Sequence, residues 1–181
     1  MASWSAIARR IRVPLGFGFA IVYVWLAQPT VVSMMVGAAL MVPGLVVRGL
    51  ASGHVQKNEE LTTAGPYAHT RNPLYLGSFI LALGCAVAAR SWWIVVGMVA
   101  MFGAIYLPVI RSEEAYLRER FPQFAEYARE VPRLWPRLIA FRHAEGAFSW
   151  VLYRKHREYN ATVGAVAIMA VLAAKLMWIS K

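Results

Sequence analysis

Long apolar runs separated by short polar breaks dominate the chain. Five stand out, at roughly 13–28, 30–47, 73–89, 92–110 and 161–179. Each is about 16 to 19 residues long, close to the roughly 20 that carry a helix across a hydrocarbon core. The first and third are the shortest, so their ends are expected to reach into the interface. Pro43 and Pro108 fall inside runs and predict kinks, which are tolerable where neighbours satisfy the freed carbonyls. Trp92 and Trp93 open the fourth run and Trp178 stands near the end of the fifth, as an interfacial aromatic belt requires. The pattern predicts an all-α integral membrane bundle of about five transmembrane helices, forming one membrane domain over residues 1–181.

Two polar blocks interrupt the runs, at 48–72 and 111–160. Gly53 and Gly65-Pro66 mark turns in the first. In the second, residues 112–121 read as a helix with Ser112 as N-cap and Glu113 and Glu114 in its first turn, where carboxylates complement the helix dipole. Further on, Phe141, Ala144, Phe148, Val151 and Leu152 recur at helical spacing beside Arg142, His143 and Arg154. That spacing predicts a helix lying on the membrane surface. At the other end, Arg9, Arg10 and Arg12 precede the apolar stretch 13–27 in the manner of a signal peptide. However, the next apolar run begins directly after Gln28-Pro29, and no clear small-x-small cleavage site with a soluble mature domain follows. The expectation is a retained first helix, paired as a hairpin with the second.

Composition supports the membrane reading. Hydrophobic residues make up 59% and charged residues 15%, the mean hydropathy is +0.49, and a soluble domain carries about 25% charged residues. The formal net charge of +10 has no soluble basic domain to carry it, which argues against a nucleic-acid partner. A cytosolic face rich in Lys and Arg beside anionic lipids accounts for it. With the N-terminus in the cytoplasm, all 19 basic residues except Arg90, Lys175 and Lys181 fall on the cytosolic side, as do all nine acidic residues and all four histidines. The outer loops, Gln28-Pro29 and Arg90-Ser91, are too short to build a site. The chemistry is therefore expected at the cytosolic face of a multi-pass membrane protein, in the cytoplasmic membrane if the source is prokaryotic. Cys85, the one cysteine, reads as a small packing residue, and no metal site is expected. Gly164, Ala165, Ala167 and Ala170 in the fifth run offer a small-residue face for packing within or between chains, so an oligomer is open.

Residues 65–77 read Gly-Pro-Tyr-Ala-His-Thr-Arg-Asn-Pro-Leu-Tyr-Leu-Gly: a tight turn, a cation, then a helix opened by Pro73, where a missing N–H costs nothing. Free backbone N–H groups and Arg71 at that helix start would make an anion site. The alternative is an interfacial anchor, with Arg71 on lipid phosphate and the tyrosines in the headgroup belt. After the fourth run, Glu113 and Glu114 point about 100° apart on a helix, so they are not expected to share one task. Carboxylates suit ribose hydroxyls, an amino group or a sulfonium.

Taken in order, Gly-Pro-Tyr at 65–67, Arg-Asn-Pro-x-Tyr-x-Gly at 71–77, Glu-Glu-x-x-Leu at 113–117, and the run 121–136 with Phe124, Tyr127, Val131, Pro132, Arg133 and Pro136 resemble the isoprenylcysteine carboxyl methyltransferase and phospholipid N-methyltransferase superfamily. The resemblance covers about residues 48–136. It implies a membrane methyltransferase that uses S-adenosylmethionine, releases S-adenosylhomocysteine, and holds the cofactor in a cytosolic pocket. Carried over, the cofactor residues are Glu60, Leu61, Thr62, Tyr67, Arg71, Asn72, Pro73, Tyr75, Glu113 and Glu114, with Arg71, Arg111 and Glu113 at the reacting centre. The acceptor is expected to be lipid-like or hydrophobic, presenting a carboxylate, amine or thiol. Three positions depart from the pattern: Asn72 replaces the usual His, Pro122 a frequent Gly, and Phe124 a common Tyr. Asn hydrogen-bonds but cannot act as a general base. An amine or thiol acceptor needs a base, for which His54 and His69 are the candidates. Two other readings stand beside this one. Membrane sterol reductases carry a similar Arg-His-Pro-x-Tyr-x-Gly stretch and use a nicotinamide cofactor, although there an acidic residue tends to follow the Gly and more spans precede it. A membrane scaffold that has lost activity would also accommodate Asn72.

Overall fold

The computed structural model describes residues 4–56, 59–141 and 146–179. Lys57, Arg142, His143 and Ala144 lie outside the described residues, as do the side chains of Arg9, Arg10 and Arg12. Helices α1 (Trp4–Leu26), α2 (Val31–His54), α3 (Pro73–Ala89), α4 (Trp92–Met101), α5 (Leu107–Arg120), α6 (Phe124–Glu130), α7 (Trp150–Lys155) and α8 (Tyr159–Ile179) follow one another along the chain, and no strand occurs among the described residues. The stretches Val31–His54, Trp92–Arg120 and Tyr159–Ile179 are long and apolar enough to cross a membrane, and Pro14–Leu26 and Pro73–Ala89 are shorter apolar helices. Their outward faces carry Ile21, Trp25, Val32, Met35, Trp93 and Val163, all well exposed. Such a surface belongs in lipid.

The closest helix pair is α2 with α3, and glycine explains it. A Cβ on Gly37 would meet the Gly84 carbonyl at 2.6 Å, and one on Gly44 would meet the Gly77 carbonyl at 2.9 Å. Two glycines seven residues apart on each helix let the backbones touch, which is how helices associate where no hydrophobic force draws them together. Ser33 Oγ, from α2, also donates to the Ala88 carbonyl at 3.0 Å. Thr30 and Ser33 form a capping box at the start of α2. The expected α1–α2 hairpin gives way to this arrangement. Helix α1 packs instead on α3, α4 and α5, with Tyr23 Oη donating to the Cys85 carbonyl at 2.8 Å. From α8, Lys175 Nζ donates to the Val24 and Trp25 carbonyls at 2.6 and 2.9 Å. Of the small residues singled out in α8, Ala165 is buried while Gly164, Ala167 and Ala170 face outward.

Two expectations in the second polar block are corrected. No new helix begins at Ser112: α4, a π-helical segment at Phe102–Tyr106 and α5 run on as one rod. Ser112 Oγ caps nothing and donates to the Val109 carbonyl one turn back at 2.8 Å. The π segment lies just ahead of Pro108, where the ring and missing N–H disturb the ladder. The surface helix shrinks to α7. Phe141 turns inward and is buried, its N–H donating to the Ala68 carbonyl, and the Ser149 N–H donates to the Gly53 carbonyl. At Ser149 the chain is extended, with φ −119° and ψ 117°.

Candidate active site

Residues 131–141 form a strap beside the loop that precedes α3. The Arg71 N–H donates to the Pro132 carbonyl at 2.9 Å and the Arg137 N–H to the His69 carbonyl at 2.9 Å. Thr70 Oγ1, buried beneath, donates to the Arg133 and Leu134 carbonyls at 3.2 and 3.0 Å. Ala68, Phe124, Tyr127, Val131 and Phe141 bury one another, with Leu61 and Leu117 packed on them. This small apolar core, separate from the one between the membrane helices, anchors loop, strap, α5 and α6 together.

Above it opens a cavity of about 630 Å³, walled by α2, the loop 55–75, α5, α6 and the turn between α7 and α8. Glu114 is its organising charge. It is buried, and its Oε2 accepts from Arg133 Nε at 3.0 Å and sits 2.8 Å from Arg133 Nη2 and 3.5 Å from Arg71 Nη1. Its Oε1 accepts from Asn72 Nδ2 at 3.0 Å. Asn72 Nδ2 also donates to the Arg133 carbonyl at 3.1 Å. Glu113, one residue earlier, is exposed and accepts from Tyr75 Oη at 3.0 Å. The two adjacent carboxylates thus do different work, as their 100° separation requires. Glu114 is saturated by protein groups, and Glu113 keeps capacity for a ligand.

Burial pushes the Arg71 guanidinium below its ordinary value, opposed by Glu114 and reinforced by Arg133. Arg71 Nε is buried without a hydrogen-bond partner, which costs free energy until an acceptor arrives. Burial raises the Tyr67 phenol, with Tyr127 and Glu113 adding to it, and Tyr127 Oη donates to the Tyr67 carbonyl at 2.7 Å. Both tyrosines are therefore neutral fixtures of the wall.

The sequence profile of the phospholipid methyltransferase family matches residues 22–123, more than half of the chain and the whole stretch from α2 to the end of α5. The chain belongs to that family. Through it, the chain belongs to the integral membrane methyltransferases. It is also 34% identical over 130 residues to the cobalt-zinc-cadmium resistance protein CzcN of Cupriavidus metallidurans, covering 71% of this chain and 58% of that one. To the nickel-cobalt-cadmium resistance protein NccN of Alcaligenes xylosoxydans xylosoxydans it is 34% identical over 119 residues, covering 65% and 55%. It spans just over half the length of these relatives. No solved structure matches the chain. Among the described residues no three His, Cys, Asp or Glu side chains are grouped to hold a metal ion.

In this phospholipid methyltransferase family member, Glu60, Leu61, Thr62, Tyr67, Arg71, Asn72, Tyr75, Glu113 and Glu114 all line the cavity. Pro73 does not: it is fully buried at the first turn of α3. Arg111 is exposed and stands off the wall. Arg71 and Tyr67 turn inward, unlike lipid-facing anchors. His54 and His69 are likewise off the wall, their Nδ1 atoms bound to the Leu50 and Arg137 carbonyls at 2.7 and 2.8 Å. Sequence reasoning missed the membrane-side wall, made by Arg48, Ser78, His156 and Glu158. Arg48 Nε and Nη2 grip Glu158 Oε1 and Oε2 at 2.6 and 3.1 Å, and Arg48 Nη1 donates to Ser78 Oγ. The available signal was a lone arginine at the C-terminal end of one apolar run and a lone glutamate at the start of another, each needing a partner near the bilayer.

Proposed function

We propose that the chain is an S-adenosylmethionine-dependent methyltransferase that holds its cofactor in this cavity and methylates a lipid-like or hydrophobic acceptor at the cytosolic face of the membrane. The observation that carries the reading is the convergence of the loop before α3 with Glu113 and Glu114 on one hollow, through the Asn72–Glu114 and Tyr75–Glu113 hydrogen bonds. The residues fit such a ligand. The volume of about 630 Å³ lies within the range of small-molecule sites, the orphaned Arg71 Nε offers a donor to a carboxylate, and Glu113 offers acceptors to hydroxyl or amino groups.

When bound, the cofactor supplies a methyl group on a sulfonium, and its transfer is an in-line displacement helped chiefly by alignment and exclusion of water. Arg71 fixes one end of the cavity's occupant by charge. Glu113, aimed by Tyr75, fixes polar groups at another. A carboxylate set against the sulfonium itself would stabilise the charge that the reaction removes, so Glu113 serves binding. Asn72, Glu114 and Arg133 hold Arg71 in place, and Arg111 has no contact assigned in the cavity. The charge distribution supports an N-terminus and an active site on the cytosolic side. A hydrophobic acceptor would then enter from the bilayer while the soluble cofactor arrives from the cytosol.

Calorimetry on the detergent-solubilised protein tests this directly. S-adenosylhomocysteine should bind, and NADPH in a parallel thermal-shift experiment should not. A folded protein that binds only NADPH selects the reductase reading, and one that binds neither selects the scaffold. Mass spectrometry of lipid extracts incubated with a labelled methyl donor would identify the acceptor.

A further inference from the structure

Of the described histidines, only His156 lines the cavity. It sits in the turn between α7 and α8, with its Nδ1 3.0 Å from the Ser52 carbonyl. A carbonyl only accepts, so Nδ1 carries the proton and Nε2 is left with its lone pair. Nε2 has no hydrogen-bond partner among the described residues. The neighbouring backbone is built to put it there. Arg157 is held at φ 52°, a left-handed conformation that is strained for a non-glycine residue. With Arg157 so turned, His156 meets Ser52 and Glu158 meets Arg48, both partners on α2. His156 is thereby fixed on the membrane-side wall, in the same hollow as Arg71 and Glu113.

We infer that His156 Nε2 is the proton acceptor for the group that is methylated, and that this group is a nucleophile bearing a proton, an ammonium or a thiol. The inference rests on the methyltransferase reading above. In the step, the acceptor's N–H or S–H bond breaks and its electron pair forms the new bond to the methyl carbon. The methyl–sulfur bond breaks with its pair kept by sulfur. The proton passes to Nε2 and then to water. A carboxylate acceptor, already ionised at neutral pH, would have no use for this histidine. Asn72 cannot perform the task, since its amide nitrogen is not basic and is already committed to Glu114 and the Arg133 carbonyl.

The test uses the full chain in mixed micelles with labelled S-adenosylmethionine and three probes: dodecylamine, dodecanethiol and dodecanoate. Two substitutions separate chemistry from structure. His156→Asn places an amide N–H where Nδ1 was, preserving donation to the Ser52 carbonyl while removing the basic nitrogen. His156→Ala opens space for free imidazole. The expected result is wild-type transfer to the amine or thiol, a loss of about 100-fold or more in both variants, unchanged calorimetric affinity for S-adenosylhomocysteine, and recovery of the Ala variant by added imidazole. Full activity of His156→Asn would overturn the assignment, because the Ser52 bond would then be all that matters. So would wild-type transfer to dodecanoate alone or to no probe, or an equal loss with dodecanoate. If the wild type fails to bind S-adenosylhomocysteine, the methyltransferase reading itself falls, and this is visible before any probe is added.

Discussion

Asn72 Nδ2 donates to Glu114 Oε1 at 3.0 Å across 42 residues of sequence, and this bond fastens the loop that enters α3 to the helix that leaves the fourth span. Both groups are buried. Asn72→Ala removes a donor to an ionised acceptor and should cost about 1.5–3 kcal/mol, read as a lower unfolding midpoint in detergent. Asn72→Asp should cost more, since it sets a second carboxylate against Glu114. If Asn72→Ala is as stable as the wild type, the loop is not held by this contact.

The two glutamates should separate functionally. Glu113→Gln is expected to weaken S-adenosylhomocysteine binding at least tenfold, about 1.4 kcal/mol, with little change in stability. Tyr75→Phe, which removes the hydroxyl that aims Glu113, should have a smaller effect of about 0.5–1 kcal/mol. Glu114→Gln should instead destabilise the fold, because Arg133 and Arg71 lose their shared counter-charge. Calorimetry and thermal unfolding on the same three variants would reverse these assignments if Glu114→Gln were stable and Glu113→Gln were not.

Why the wall made by Arg48, Ser78, His156 and Glu158 escaped the sequence while the loop before α3 did not is a matter of distance along the chain. Tyr67, Arg71, Asn72 and Tyr75 are consecutive turns of one loop and helix, so their spacing is a local signal, and apolar run lengths located α3 almost to the residue. Arg48, in contrast, meets Glu158 across 110 residues, and no local pattern predicts which lone charge finds which. The α2–α3 pairing was equally hidden: Gly37, Gly44, Gly77 and Gly84 identify close-packing faces only once the two helices are known to be neighbours. Ser112 misled for a different reason. Ser followed by two glutamates is a sound N-cap pattern, but the helix of the fourth span had no cause to stop there.

Tyr67 and Tyr127 predict an alkaline limit. Burial raises both phenols above their ordinary value near 10, so the folded chain keeps protons that the unfolded chain gives up above that pH. The folded state then binds more protons than the unfolded, and stability falls as pH rises past about 10. Below that value their contribution is fully present. In a spectrophotometric titration, at least these two of the eight tyrosines should stay protonated until the protein unfolds. Phenolate absorbance from all eight in the folded state would place both outside the buried wall.

The glycine face between α2 and α3 should tolerate almost nothing. A Cβ on Gly84 would lie 2.8 Å from the Gly37 carbonyl, so Gly84→Leu must push the backbones apart and should prevent folding or lower the unfolding midpoint sharply. Gly164→Leu on α8, where a Cβ meets nothing within 4 Å, is the matched control and should be near neutral. Equal tolerance at the two sites would mean that α2 and α3 do not pack at backbone contact.

The Arg48–Glu158 pair gives the sharpest energetic contrast. Arg48 is 23% and Glu158 9% exposed at the side chain, so neither charge is well hydrated and each depends on the other. Removing one alone leaves its partner stranded near the bilayer, and Glu158→Gln or Arg48→Met should cost about 3–5 kcal/mol. Replacing both, as Arg48→Met with Glu158→Leu, removes the charges together and should recover much of that loss, because burying paired ions gains little over burying apolar groups. The coupling read from such a cycle is expected at about 3 kcal/mol or more. Since Glu158 follows two residues after His156, the double variant should also loosen the turn that aims the imidazole, lowering methyl transfer while S-adenosylhomocysteine still binds. Additive single-variant effects would show that the two side chains do not meet, and the membrane-side wall would lose its anchor.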